Sequence, residues 1–220
     1  MNLRYHTIIF DIDGTLTDSF EGIAKSVQYA LHGIGIEADF ASLGGFVGPP
    51  LRNEFKKEFA LDGDALDTAV ALFRERFDKT GIYENRLYDG VREMLLELKA
   101  RGALLAVASA KPQPTVDAVL KIFGIGGCFD AAVGALEGVR SEKAEMIAGA
   151  LARLGIGDTR CVLMVGDRKY DAEGARLSGL DFCGVLYGYG GLEELAPYQS
   201  VYYAKTVGEL ARFLMPEQEA

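Results

Sequence analysis

Two carboxylates set close together at the end of an apolar run are the first chemistry this sequence offers. Thr7-Ile8-Ile9-Phe10 has the continuous apolar pattern of a strand buried on both faces, and it stops at Asp11-Ile12-Asp13-Gly14-Thr15. Residues two apart in extended chain point to the same side, so Asp11 and Asp13 stay ionised together only beside something positive. A hard divalent cation such as Mg²⁺ meets that need, because it takes oxygen ligands and leaves positions open for phosphate oxygens. Gly14 allows a sharp reversal, and the hydroxyls of Thr15, Thr17 and Ser19 can tie down loop amides or cap a following helix. On its own, a D-x-D-G string also suits a plain Asp-rich turn closing a strand.

Three further segments carry chemistry. In Val107-Ala108-Ser109-Ala110-Lys111-Pro112 a hydroxyl follows an apolar run just before a helix, where it can hold a phosphate oxygen or simply cap that helix. Ser141-Glu142-Lys143-Ala144 puts a lysine in the first turn of a helix, against the helix dipole, at a cost of about 0.3 to 1 kcal/mol when exposed. Such a lysine needs an anion, and the Asp cluster or a substrate phosphate would supply one; Lys111 is a weaker candidate for the same work. Val165-Gly166-Asp167-Arg168-Lys169-Tyr170-Asp171 ends another apolar run in an acid, with Asp171 placed to cap the next helix. Arg168 and Lys169 either add to phosphate attraction or are solvated.

The elements that must position these residues follow from the periodicity. From Phe20 to about Thr80 the chain reads as helical throughout: Ile23, Val27 and Leu31, then Leu51, Phe55 and Phe59, then Leu66, Val70, Phe73 and Phe77 recur at helical spacing. That length and number of amphipathic segments exceed a single crossover, so the stretch is expected to be an inserted helical bundle over 17–83. The remainder, 1–16 with 84–220, alternates strands and helices; strands are expected at 103–108, 129–133, 161–165, 182–186 and 201–204. The expected fold class is α/β, a doubly wound and mostly parallel sheet with helices on both faces. In such sheets ligands bind at the carboxyl ends of the strands, which is where Asp11, Ser109 and Asp167 fall.

With 220 residues, 49% hydrophobic and 25% charged, the chain can bury one substantial core and a small accessory unit. Its 23 basic and 32 acidic residues give a net charge of −9 without a basic run, which argues against a nucleic-acid partner. No window reaches the roughly 18 to 20 apolar residues of a membrane span, and no leader pattern opens the chain, so a cytoplasmic protein is expected. The three cysteines, Cys128, Cys161 and Cys183, are scattered and suggest neither a disulfide framework nor a zinc site; Cys161 and Cys183 are expected to pack in the core.

Taken in order, DIDGTLTDS, the Ser109 segment, Lys143 and GDRKYD resemble the four motifs of the haloacid dehalogenase superfamily, and the resemblance covers nearly the whole chain. The hydroxyl-Ala-Lys-Pro form is similar to that of phosphoglycolate phosphatase-like members, and the helical insertion matches the cap of that branch. The resemblance implies a Mg²⁺-dependent phosphatase in which Asp11 attacks phosphorus to form an aspartyl phosphate and Asp13 serves as acid and then base. Asp11, the Asp13 backbone carbonyl and Asp167 would hold the metal, Ser109, Lys143 and Gly14 the phosphate, and Asp171 would orient Lys143. Dehalogenases of the superfamily lack the second acid, so Asp13 points to phosphate chemistry. Cap residues would select the leaving group, with Phe46 and Arg52 as candidates, and the chain crossings would be hinges. The implied substrate is a small phosphorylated metabolite: phosphoglycolate, a nucleotide, a sugar phosphate or pyrophosphate. A β-phosphoglucomutase-like phosphomutase is the alternative enzyme, and a receiver-like phospho-accepting module is disfavoured by the cap and by Asp13. A monomer or homodimer is expected.

Overall fold

The computed structural model describes residues 3–136 and 142–216, so Ser141 lies outside the described residues. The chain forms two compact units, Met1–Thr17 with Leu87–Ala220, and Asp18–Arg86. Strand β1 is Thr7–Phe10; β2 (Thr17–Asp18) and β3 (Arg86–Leu87) pair with each other as a short ribbon. The chain crosses between units within that ribbon, a few residues later at the second crossing than the periodicity alone places it.

Within Asp18–Arg86, helix α1 (Phe20–Gly33) packs along α3 (Gly63–Lys79), with α2 (Leu51–Phe59) and a 3₁₀ segment over Phe40–Phe46 completing the unit. The apolar residues at helical spacing face inward as expected: Ile23, Val27, Leu31, Phe55, Leu66, Val70 and Phe77 are all buried. Ser19 sits at the N-cap position of α1 without a side-chain capping bond.

The other unit is built on six strands. After β1 come β4 (Leu104–Pro112), β5 (Ala131–Ala135), β6 (Val162–Gly166), β7 (Asp181–Val185) and β8 (Tyr202–Ala204), in the spatial order β5-β4-β1-β6-β7-β8 and parallel at every junction. Helices α4 (Val91–Ala100), α5 (Gln113–Ile122), α6 (Lys143–Leu154), α7 (Lys169–Ser178), α8 (Leu192–Leu195) and α9 (Val207–Leu214) connect and cover it. β1 lies in the middle, with Phe10 in register with Val107 on one side and Val165 on the other. Covered by helices on both faces, it buries every side chain, which is why its sequence is a run and not an alternation. One core cluster joins Ile9, Ala106, Val133, Ile147, Met164 and Phe182. Cys183 is buried as expected, but Cys161 is exposed, because β6 begins one residue after it. β4 also runs beyond the expected end at Ala108, its pairing with β5 slipping between Ala108 and Pro112.

Candidate active site

Asp11, Asp13, Lys111, Lys143, Asp167 and Asp171 come together where the chain leaves β1 and β6, beside the Ala108–Lys111 stretch of β4. The Asp11 amide donates to the Val165 carbonyl at 3.0 Å, tying the chain to the end of β6 as it leaves β1. A tight loop follows: Gly14 N–H reaches the Thr17 carbonyl at 2.8 Å, and Gly14 takes φ of +75°. Its missing side chain matters as much as its φ. A Cβ there would stand 2.1 Å from Asp167 Oδ2, so only glycine lets the loop and the Asp167 carboxylate share this space.

Asp167 is fully buried and held on both oxygens. Thr15 Oγ1 donates to Oδ1 at 3.3 Å and the Tyr189 amide donates to Oδ2 at 2.8 Å. The segment that brings Tyr189 there is Leu186 to Gly191, LYGYGG. Its Tyr187 hydroxyl donates to the Thr15 carbonyl at 3.0 Å, and a Cβ on Gly188 would lie 2.3 Å from the Gly14 carbonyl oxygen. The loop is therefore a backbone clamp on the acidic cluster. The glycine-tyrosine alternation was the available signal, but a glycine's close approach cannot be read without knowing what it approaches.

Lys143, first residue of α6, is buried and stands between two acids. Its ammonium is 2.9 Å from Asp11 Oδ1 and 2.7 Å from Asp171 Oδ1, and it donates to the Ala108 carbonyl at 3.1 Å. Those acids are the anions that a lysine in a helix's first turn requires. Asp171 does two things at once: Oδ1 meets Lys143 while Oδ2 accepts the Arg168 amide at 3.0 Å, closing the start of α7. Ser109 is buried, its hydroxyl accepting the Lys111 amide at 3.4 Å. Lys111 Nζ lies 2.9 Å from Asp13 Oδ2. Arg168 is turned to Glu194 at 2.9 Å, and the Lys169 amide donates to the same carboxylate.

The two candidates from the helical unit have local partners. The Phe46 ring is 4% exposed and packs at 5.1 Å from Phe55 and 6.1 Å from Phe59, in that unit's own core. Arg52 pairs with Asp67 at 2.6 Å on the unit's surface.

Electrostatically, the sheet site holds more negative charge than it neutralises. Burial pushes the Asp11 carboxyl up to about 6, with Asp171 and Asp13 adding to the rise against the pull of Lys143. Burial likewise raises Asp167 well above the usual carboxylate range, and the charges of Asp171 and Asp11 raise it further. Burial would lower the Lys143 ammonium, but Asp11 and Asp171 outweigh that and hold it protonated. Oxygens of Asp11, Asp167 and Asp171 lie within 4.8 Å of one another. Buried hard oxygen donors with unrelieved negative charge fit a divalent cation of the Mg²⁺, Mn²⁺ or Ca²⁺ kind.

Acids and a lysine gathered at adjacent ends of a parallel sheet suit phosphoryl chemistry. The chain belongs to the haloacid dehalogenase-like hydrolase family, whose sequence profile matches residues 8–185, and it is a phosphatase-type member of it. It is 42% identical over 214 residues to a 5'-nucleotidase of Pseudomonas aeruginosa, covering 96% of each chain. It is 38% identical over 213 residues to the tyrosine-protein kinase PtkA of Mycobacterium tuberculosis, covering 94% of this chain and 72% of that one. A predicted phosphatase from Clostridium acetobutylicum superposes with a TM-score of 0.90 at 40% identity, over 94% of this chain and 97% of that structure. Among the described residues no helix is long and apolar enough to cross a membrane.

Proposed function

We propose that the protein is a Mg²⁺-dependent phosphomonoesterase that hydrolyses small phosphorylated metabolites through an aspartyl phosphate on Asp11. The observation that carries this reading is the placement of Asp11: buried at the end of the central strand, held by Lys143, with Asp167 and Asp171 alongside. In the first step an Asp11 oxygen forms a bond to phosphorus as the bond to the leaving oxygen breaks, and Asp13 gives that oxygen its proton. In the second, water attacks phosphorus, the bond to Asp11 breaks, and Asp13 takes the water's proton, which restores the starting state. Ser109 and Lys143 bind the phosphoryl oxygens, Lys143 also countering charge that grows on them. Asp11, Asp167 and the Asp13 carbonyl would hold the cation, with Asp171 keeping Lys143 oriented. When bound, the cation screens Asp11 from the negative phosphoryl group it must approach.

Among small phosphate esters, nucleoside 5'-monophosphates are the favoured substrates, supported by the similarity to a 5'-nucleotidase. In the helical unit, Arg52 is the proposed contact for a second anionic group on other substrates. The similarity to a tyrosine kinase supports a competing reading, transfer to a protein tyrosine. A panel of nucleoside monophosphates, phosphoglycolate, sugar phosphates and pyrophosphate, assayed for phosphate release with Mg²⁺ and with EDTA, tests the proposal. Mg²⁺-dependent release with no isomer accumulating supports it. Label passing from ATP to protein without phosphate release overturns it, as does full activity in EDTA.

A further inference from the structure

We infer that Lys111 is a positioning residue for Asp13, holding that carboxylate where it exchanges a proton with the leaving oxygen. The inference rests on the reading of Asp13 as acid and base given above. Its basis is a division of labour between two lysines, Lys143 buried and Lys111 partly so. Lys143 stands between Asp11 and Asp171, while Lys111 stands 2.9 Å from Asp13 Oδ2, the two side chains being 10% and 6% exposed. The two acids that follow β1 thus meet different ammonium groups, Asp11 sharing its own with Asp171.

The backbone that carries Lys111 is fixed. β4 continues past Ser109, and after the slip in register Pro112 pairs with Ala135. Gln113 then fastens the segment to β5: its side-chain oxygen accepts the Gly134 amide at 2.8 Å, and its amide nitrogen donates to the Ala132 carbonyl at 3.2 Å. A Cβ on Gly134 would stand 2.7 Å from the Lys111 carbonyl oxygen, so the two strands touch backbone to backbone here. A long flexible side chain is most useful for placing a charge when its root cannot move, and a partner buried with it is held in turn. A displacement of about 1 Å in a reacting group can cost on the order of 10²-fold in rate, which is the effect assigned to Lys111.

The competing role for Lys111 is direct binding of phosphate oxygens, and leaving groups separate the two. Lys111→Met and Lys111→Arg, each alone and combined with Asp13→Asn, are compared in single-turnover release of the leaving group with saturating Mg²⁺. The substrates are a nucleoside 5'-monophosphate, whose alkoxide needs a proton, and p-nitrophenyl phosphate, whose phenolate does not. Lys111→Met is expected to slow release from the nucleotide by about 10²-fold and from p-nitrophenyl phosphate by no more than about 5-fold. Arginine should recover part of the loss, and Met should add almost nothing once Asp13 is Asn. Lys111→Gln should give the same split, and serves if the Met variant does not fold. Equal losses on both substrates, persisting in the Asp13→Asn background, overturn the inference in favour of phosphate binding. If Asp13→Asn alone shows no leaving-group dependence, the role given to Asp13 is itself wrong and the inference falls with it.

Discussion

In the helical unit Glu84 receives Arg76 at 2.9 and 3.1 Å and Lys25 at 3.2 Å, and Arg76 also donates to Ser26. In the sheet unit Asp11 and Asp171 share the one ammonium of Lys143, with Asp167 beside them. The two arrangements move carboxyls in opposite directions. Arg76 and Lys25 hold Glu84 below the usual carboxylate range despite its partial burial. Burial and neighbouring acids push Asp11 and Asp167 above it. A satisfied ion pair stabilises a fold, whereas uncompensated buried charge costs stability and persists where a ligand or reaction needs it.

The comparison breaks first at Asp11. Asp11→Asn should lower phosphate release by about 10⁴-fold or more while the melting temperature stays level or rises, since a neutral amide avoids the cost of a buried charge. Steady-state phosphate assays and a thermal melt check both halves; near-normal turnover by the folded variant removes Asp11 as nucleophile.

Next in size is Lys143→Met, which leaves Asp11 and Asp171 without their shared cation. A loss of about 3 to 5 kcal/mol is expected by urea denaturation, together with loss of activity. An unchanged midpoint would mean the acids are relieved some other way.

Cation binding should then reverse the site's deficit. At about 100 times its Kd, Mg²⁺ should stabilise the protein by about 2.7 kcal/mol and raise Tm by roughly 5 to 10 °C, an effect absent from Asp167→Asn and undone by EDTA. Equal shifts in the variant would place the ion elsewhere.

The smallest effect belongs to the helical unit. Glu84→Gln should cost about 1 kcal/mol or less at pH 7 and leave phosphate chemistry unaltered. Because Glu84 is lowered in the folded state, its contribution is present above the ordinary Glu range and is lost as pH falls through the depressed value. The gap between wild type and variant should therefore close in acid, and a gap that widens there would contradict the assigned pairing.

The parts that the residues announced are those governed by local rules. β1 was legible as an unbroken apolar run ending in Asp11, and α1 to α3 as inward-facing stripes, because burial period and element type are tied together. β4 was read too short. Its last residues, Ser109-Ala110-Lys111-Pro112, break the apolar run and end in proline, so nothing local extends the strand; pairing to β5 and the Gln113 bonds do. Phe46 was a candidate for selecting the leaving group, and its ring packs on Phe55 and Phe59, partners set by the fold of the helical unit.

By itself the amino-acid order determined the kinds of elements, the α/β class with its helical insertion, the acids that close strands, and a lysine in a helix's first turn. Only the tertiary structure decided which cation meets which acid: Lys143 to Asp11 and Asp171, Lys111 to Asp13, Arg168 to Glu194. Ion pairing depends on distances across strands far apart in the chain and on the burial that strengthens or weakens each charge, and neither quantity is written in local spacing.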